Sequence, residues 1–129
     1  LVLPCSISGL INTEMASALP VKAIVPAANA PFQQPQLADD LRRRGVRVLP
    51  DPLVNAGAVI ADSIERFAPE AWKTATADEV YRFVRDEVRQ RANDFLAQRG
   101  DGLSVDAALE RVTAGGGGAP IGLSFGEAA

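Results

Sequence analysis

Three short β-type runs alternate with helical stretches in the N-terminal part of the chain, and this alternation restricts the fold more than any other feature. The runs cover residues 1–3, 23–25 and 46–49, and each leads through a polar or proline-marked turn into a helical stretch. Parallel neighbours need a crossover connection, so this spacing is typical of strand–helix–strand units. The pattern predicts an α/β fold with a parallel sheet.

Two crossover helices are predicted between these runs. The first covers residues 13–19, with Thr13 as its cap and Pro20 as its stop. The second lies between Pro35, near its first helical position, and Gly45, just past its end. Its apolar residues are spaced for one buried face: Leu37, Ala38 and Leu41.

An arginine run, 42–44, falls in the last turn of the second crossover helix. Two interpretations are open: the cations complement a helix C-terminus, or they contact a phosphate. The helix dipole favours the first.

The rest of the chain is predicted to be helical. Residues 53–67 form one helix, and a second begins at a capping box of Thr76 and Glu79 and stops at Gly100. Ser104 caps a last short helix. The apolar positions of these helices are Leu53, Ala56, Val59, Ile60, Ile64, Phe67, Val80, Phe83, Val84, Val88, Ala92, Phe95, Leu96, Val105, Ala108, Leu109 and Val112. The helix that begins at Thr76 has charged residues on the face opposite its apolar residues. Three i,i+4 ion pairs are expected there: Asp78–Arg82, Arg82–Asp86 and Glu87–Arg91.

A glycine run at 115–118 has two interpretations, a flexible tail or a phosphate loop. Such loops join a strand to a helix and are followed by lysine, whereas Ala119 and Pro120 follow here. Residues 115–129 are therefore expected to be a glycine-rich tail.

Composition excludes several classes of function. A net charge of −3 disfavours nucleic-acid binding, and the absence of histidine removes Ser-His and Cys-His catalysis and the common zinc sites. One cysteine and the lack of a long apolar run predict a cytoplasmic protein without a membrane span, and the absence of histidine leaves no metal site expected. Because the chain opens on Leu1 inside a β-type run, we expect a fragment of a longer protein.

Asn29 and Asn55 each follow a predicted strand, within Ala-Asn-Ala and Asn-Ala-Gly. Ligands of open α/β sheets bind outside the carboxyl ends of the strands, where an amide can both donate and accept. The alternative, that both residues only cap turns, stays equally open.

The identities of the residues, beyond their spacing, reveal a resemblance to a known protein family. The chain from about Leu1 to Val112 resembles the Glu/Leu/Phe/Val dehydrogenase superfamily, in its leucine and phenylalanine branch. The motifs that carry this resemblance are LPCS at 3–6, GLIN at 9–12, AANAP at 27–31, GV at 45–46 and PDPLVNAGAV at 50–59.

The resemblance implies an NAD-dependent, reversible oxidative deamination of an L-amino acid to a 2-oxo acid and ammonia, with NADP not excluded, by a homo-oligomer. Residues 1–114 would be the second half of a Rossmann-type domain followed by C-terminal helices. Cofactor contacts would come from Pro4, Cys5, Ser6, Asn29 and Asn55, and the substrate pocket would include Val59.

The same resemblance implies that the pyrophosphate turn and the catalytic lysine and aspartate precede Leu1. No catalytic residue is therefore expected in this chain, which alone should be inactive and should bind NAD weakly. Ala58 stands where the family usually has a second glycine, and Ala30 stands where the leucine branch often has a second asparagine.

Two side chains leave alternatives open. Asp62, one turn after Val59, either faces a polar or cationic substrate side chain or pairs with Arg66. Cys5 is expected to pack in the core, rather than act as a reactive thiolate, since no lysine or arginine lies near it in sequence.

Two functions follow. One is a part of an amino acid dehydrogenase that supplies the nicotinamide side of the cofactor site. The other is a Rossmann-like module without catalysis, used in assembly or ligand sensing.

Overall fold

In the computed structural model, which describes residues 1–114 and 121–127, the chain divides into two compact units, Leu1–Asn55 and Ala56–Ala129. The first unit holds the sheet and the second is helical. None of the described helices is both long and apolar enough to cross a bilayer.

The sheet of the first unit is parallel, as predicted. Strands β1 (Ala23–Ile24) and β2 (Arg47–Val48) pair in the register Ala23 to Arg47 and Ile24 to Val48. Val2 forms a parallel bridge to Ile24, with Val2 N donating to Ala23 O at 3.0 Å and Val25 N donating to Val2 O at 3.0 Å. The first predicted run therefore joins the free edge of β1, but by a bridge rather than a full strand.

Three helices accompany this sheet: α1 (Thr13–Ala18), α2 (Gln36–Arg43) and α3 (Asp51–Val54). The predicted buried face of α2 is confirmed, since all three of its apolar residues are buried. The core of the unit consists of Ile11, Ala16, Ile24, Leu37, Ala38, Leu41, Val46 and Val48.

The ends of these helices correct one prediction. Asn12, not Thr13, caps α1: its Oδ1 accepts a hydrogen bond from Met15 N at 2.8 Å. Asn12 has the extended backbone that an N-cap requires, whereas Thr13 is already helical. Gly45 follows α2 with φ of 85°, as its predicted position past the helix end requires.

All three residues of the arginine run have partners within the chain. Arg42 donates to Val48 O and Asp39, and Arg43 pairs with Asp40. Arg44 donates to Ala16 O at 2.7 Å and to Ser17 O at 3.2 Å. Arg42 and Arg43 stand in the last turn of α2, as predicted, whereas Arg44 is its C-cap residue and its side chain donates to the carbonyls at the end of α1.

The second unit contains five described helices: α4 (Gly57–Phe67), α5 (Pro69–Thr74), α6 (Ala77–Gly100), α7 (Val105–Ala114) and α8 (Gly122–Glu127). Helix α4 packs against α5, α6 and α8, and α6 packs against α7. The buried apolar side chains of these helices are Ile60, Ile64, Val80, Phe95 and Ala108.

The single helix predicted for residues 53–67 is wrong. Helix α3 ends at Val54 and α4 begins at Gly57, with Asn55 as the C-cap of α3. Val59 is 71% exposed because the buried residues of α4 repeat at i,i+4 on another face.

Helix α6 begins at the predicted capping box. Glu79 N donates to Thr76 Oγ1 at 3.3 Å, and Thr76 N donates to Glu79 Oε2 at 2.7 Å. The hydrogen bonds from the backbone and side chain of Thr76 hold the pKa of Glu79 below its usual range. The predicted stop at Gly100 is wrong, since Gly100 is still helical and the left-handed residue is Gly102, with φ of 88°.

The charged face of α6 forms one of the three expected ion pairs, Glu87–Arg91, at 3.8 Å. Asp86 instead accepts a hydrogen bond from its neighbour Arg85 at 3.0 Å, which lowers the pKa of Asp86. Exposed pairs of this kind contribute only about 0–1 kcal/mol, so little energy selects one partner over another. At the start of α7 the predicted cap is confirmed, because Ala107 N donates to Ser104 Oγ at 3.2 Å.

Helix α8 lies in the segment for which a tail was expected; the glycine run at 115–118 itself falls outside the described residues. Gly122 N donates to Ser63 Oγ at 2.9 Å, and the rings of Phe83 and Phe125 meet edge to face at 5.2 Å. These contacts dock α8 against α4 and α6.

The close approach at Gly122 yields a stability prediction. A Cβ at this position would overlap the backbone carbonyl of Ser63, so Gly122→Ala should destabilise the docking of α8 by about 1–3 kcal/mol. The matched control is Gly100→Ala, where a Cβ meets no atom within 4 Å, and this should stabilise α6 by about 0.5–1 kcal/mol. Thermal unfolding of the two variants checks the pair, and an unchanged midpoint for Gly122→Ala would contradict the docking.

Candidate cofactor and substrate residues

Three loops lie at the carboxyl edge of the sheet in the first unit. They are loop A (residues 3–9), loop B (residues 25–31) and loop C (residues 49–55, which include the short helix α3), and each follows one of the parallel segments. Because parallel strands end at the same edge, the loops share one side of the sheet.

Backbone hydrogen bonds join loop A to loop B. Ala27 N and Ala28 N donate to Pro4 O at 2.9 and 2.8 Å, and Gly9 N donates to Ala30 O at 2.8 Å. The LPCS and AANAP motifs are therefore in direct contact.

Side chains complete the connection. Ser8 Oγ in loop A donates to Asn29 O at 2.7 Å. Ala30 N in loop B donates to Asp51 Oδ2 in loop C at 2.7 Å. Ala30 has φ of 44°, a left-handed conformation that costs a residue with a Cβ about 1–2 kcal/mol.

The predicted cofactor residues lie on these loops with different exposures. Pro4 is buried, whereas Cys5, Ser6 and Asn29 are exposed and Asn55 is half-buried. The side-chain amides of Asn29 and Asn55 form no hydrogen bond to any other described residue, although the backbone N–H of Asn55 caps the end of α3 through Asp51 O at 2.9 Å. Both remain available to a ligand.

Cys5 corrects a prediction, because it does not pack in the core. The residue is exposed, and its Sγ donates to Leu3 O at 3.1 Å. It stands on a loop past the end of the sheet, where the preceding Pro4 is the buried residue.

In the second unit, Val59 and Asp62 lie one turn apart on an exposed side of α4. The pair that was considered for Asp62 with Arg66 is not formed. Arg66 instead lies 5.4 Å from the centroid of the Phe67 ring, and no described residue forms an ion pair with Asp62. Ala58 is also exposed.

Ser8 and Asp51 were missed as candidates by sequence reasoning. Asp51 was visible as an acidic residue directly after a predicted strand, but its partner is Ala30, a residue without a polar side chain. Ser8 lacks even that signal. Among the described residues, no group of three His, Cys, Asp or Glu side chains could hold a metal ion.

Comparison with known proteins identifies the class. Residues 1–111 match the family model of Glutamate/Leucine/Phenylalanine/Valine dehydrogenase. The chain belongs to this family, as its motifs predicted.

Individual relatives agree with this assignment. The chain is 32% identical to a phenylalanine dehydrogenase of Lysinibacillus sphaericus over 72% of its length, and 30% identical to a valine dehydrogenase of Streptomyces albus over 84%. It is 33% identical to glutamate dehydrogenase A2 of Halobacterium salinarum over 74%. These alignments cover 25%, 28% and 23% of the relatives, so the chain spans about a quarter of their length.

Proposed function

We propose that this chain supplies the nicotinamide side of the cofactor site in an NAD-dependent L-amino acid dehydrogenase, with NADP as the alternative cofactor. The observation that carries the proposal is the joining of loops A, B and C at one edge of a parallel sheet. That edge is where α/β sheets bind nucleotides.

The order of the parallel segments supports the fold part of the proposal. Val2 pairs with β1, and β1 pairs with β2, so the segments are adjacent in chain order. This order fits the second half of a Rossmann-type sheet. We propose that residues 1–114 are the C-terminal portion of such a domain with its following helices.

The groups on these loops fit the cofactor chemically. Pro4, Cys5 and Ser6 would lie along the nicotinamide ribose, Asn29 beside the nicotinamide and its ribose, and Asn55 where the nicotinamide meets the substrate. A side-chain amide can donate to a carboxamide oxygen or ribose hydroxyl and accept from a carboxamide N–H or hydroxyl. When bound, the nicotinamide accepts the hydride that leaves the amino acid.

The remaining parts of the proposal concern the whole protein. Substrates would be an L-amino acid and its 2-oxo acid, and the catalytic lysine and aspartate would lie outside this chain, which alone would be inactive. A homo-oligomer in the cytoplasm completes the proposal, on the family resemblance and the single cysteine.

Activity of the full-length protein that contains this chain tests the cofactor assignment. We expect reduction of NAD or NADP with an L-amino acid. Asn29→Ala and Asn55→Ala should lower kcat/KM for the cofactor about 10-fold, the effect of one or two lost hydrogen bonds. The control, Asn93→Ala, alters an exposed residue of α6 and should leave kcat/KM unchanged. Absence of any reduction would favour a non-catalytic module, and variants that match Asn93→Ala would contradict the assigned roles.

The substrate pocket is tested at Asp62, which we propose faces a polar or cationic substrate side chain. Removal of an opposing carboxylate should lower affinity for a cation and favour apolar substrates. In the full-length protein, Asp62→Val should therefore lower kcat/KM for lysine or ornithine about 10-fold relative to leucine, valine and phenylalanine. Asp94→Val on α6 is the control. A wild type that strongly prefers leucine, with the same preference in Asp62→Val, would rule out this role.

A further inference from the structure

One peptide group in loop B is held from both sides by side chains of the other two loops. The carbonyl of Asn29 and the N–H of Ala30 belong to the same peptide bond. Ser8 Oγ donates to that carbonyl at 2.7 Å, and Asp51 Oδ2 accepts from that N–H at 2.7 Å. The two bonds therefore fix the orientation of a single peptide plane.

Backbone hydrogen bonds hold the neighbouring peptides of loop B, through Ala28 N to Pro4 O and Gly9 N to Ala30 O, whereas the bonds to the Asn29–Ala30 peptide among the described residues come from side chains. Ala30 has φ of 44°, which is unfavourable for a residue with a Cβ, and no residue of loop B lies in a helix or strand. Rotation of the plane would carry the carbonyl away from Ser8 and the N–H away from Asp51 together. The bond to Asp51 is charge-assisted, so it is the stronger of the two.

The Asn29 Cα lies in this plane, so the two bonds anchor the atom from which the Asn29 side chain extends relative to loops A and C. The side chain is exposed and makes no hydrogen bond to the other described residues, so its own contacts do not fix it. Among the hydrogen bonds of the described residues, those that hold the Asn29 backbone are therefore the ones that can position this amide.

We propose that Ser8 and Asp51 are positioning residues that form a clamp on the Asn29–Ala30 peptide and thereby direct the Asn29 amide toward the cofactor. The clamp rests on the proposed function for its ligand, but its geometry lies within loops A, B and C. Neither residue needs to touch the cofactor.

Steady-state kinetics of the full-length protein test the clamp. Asp51→Ala should raise KM for NAD about 10-fold and Ser8→Ala about 3-fold, in line with a charged and a neutral hydrogen bond. KM for the amino acid and the thermal midpoint should stay close to wild type. Asp51→Asn keeps an oxygen acceptor and should raise KM for NAD no more than about 3-fold.

The double variant separates one clamp from two independent contacts. Because either loss frees the same plane, Ser8→Ala in the Asp51→Ala background should add no more than about 2-fold to KM for NAD. Controls are Asp106→Ala, which removes a first-turn aspartate of α7, and Ser17→Ala, which removes a helix serine bonded to Thr13 O. Both should leave KM for NAD unchanged.

Hydrogen–deuterium exchange of the segment around residues 27–31 supplies a readout that needs no activity. Exchange should be faster in Asp51→Ala than in wild type or Asp106→Ala. An active enzyme with unchanged KM for NAD in Asp51→Ala, or with fully multiplicative effects in the double variant, would overturn the clamp. A wild type that reduces no nicotinamide cofactor would overturn the proposed function and the cofactor role of the clamp, while faster exchange would still support its geometry.

Discussion

The parallel pairing around Ile24 is the interaction on which the rest of the first unit depends. This fully buried residue bridges to Val2 on one side and pairs with Val48 on the other. Both neighbours run parallel to β1, so the segments that follow all emerge at one edge. The geometry of the sheet, rather than any single side chain, brings the LPCS and AANAP motifs and Asn55 to one edge of the sheet.

The features that could be predicted from sequence are those that depend on interactions between residues close together in the chain. The Thr76–Glu79 capping box, the buried face of α2 and the alternation of β-type runs with helices depend on neighbours within a few residues. Their structures follow from hydrogen bonding and periodicity alone. The choice between Asn12 and Thr13 as a cap, by contrast, turned on the backbone conformation of adjacent residues, which periodicity does not fix.

Long-range packing explains the features that could not be predicted. The break after Val54 separates two compact units, although the apolar spacing across it is helical. Helix α8 is held by Ser63 and Phe83, residues far from it in sequence. The same distinction applies to the candidate site. The asparagines that follow strands could be identified from the sequence. The hydrogen bonds from Ser8 to Asn29 O and from Ala30 N to Asp51 join residues 21 positions apart, so they could be recognised only in the folded structure.

The proposal that loops A, B and C form the nicotinamide side of a cofactor site is tested most directly by a crystal structure of the full-length protein with NAD. We expect the nicotinamide ribose beside Pro4, Cys5 and Ser6, with the amide of Asn29 or Asn55 within hydrogen-bond distance of the nicotinamide or its ribose. A bound NAD whose nicotinamide lies away from this edge, with both amides in contact only with solvent, would contradict it.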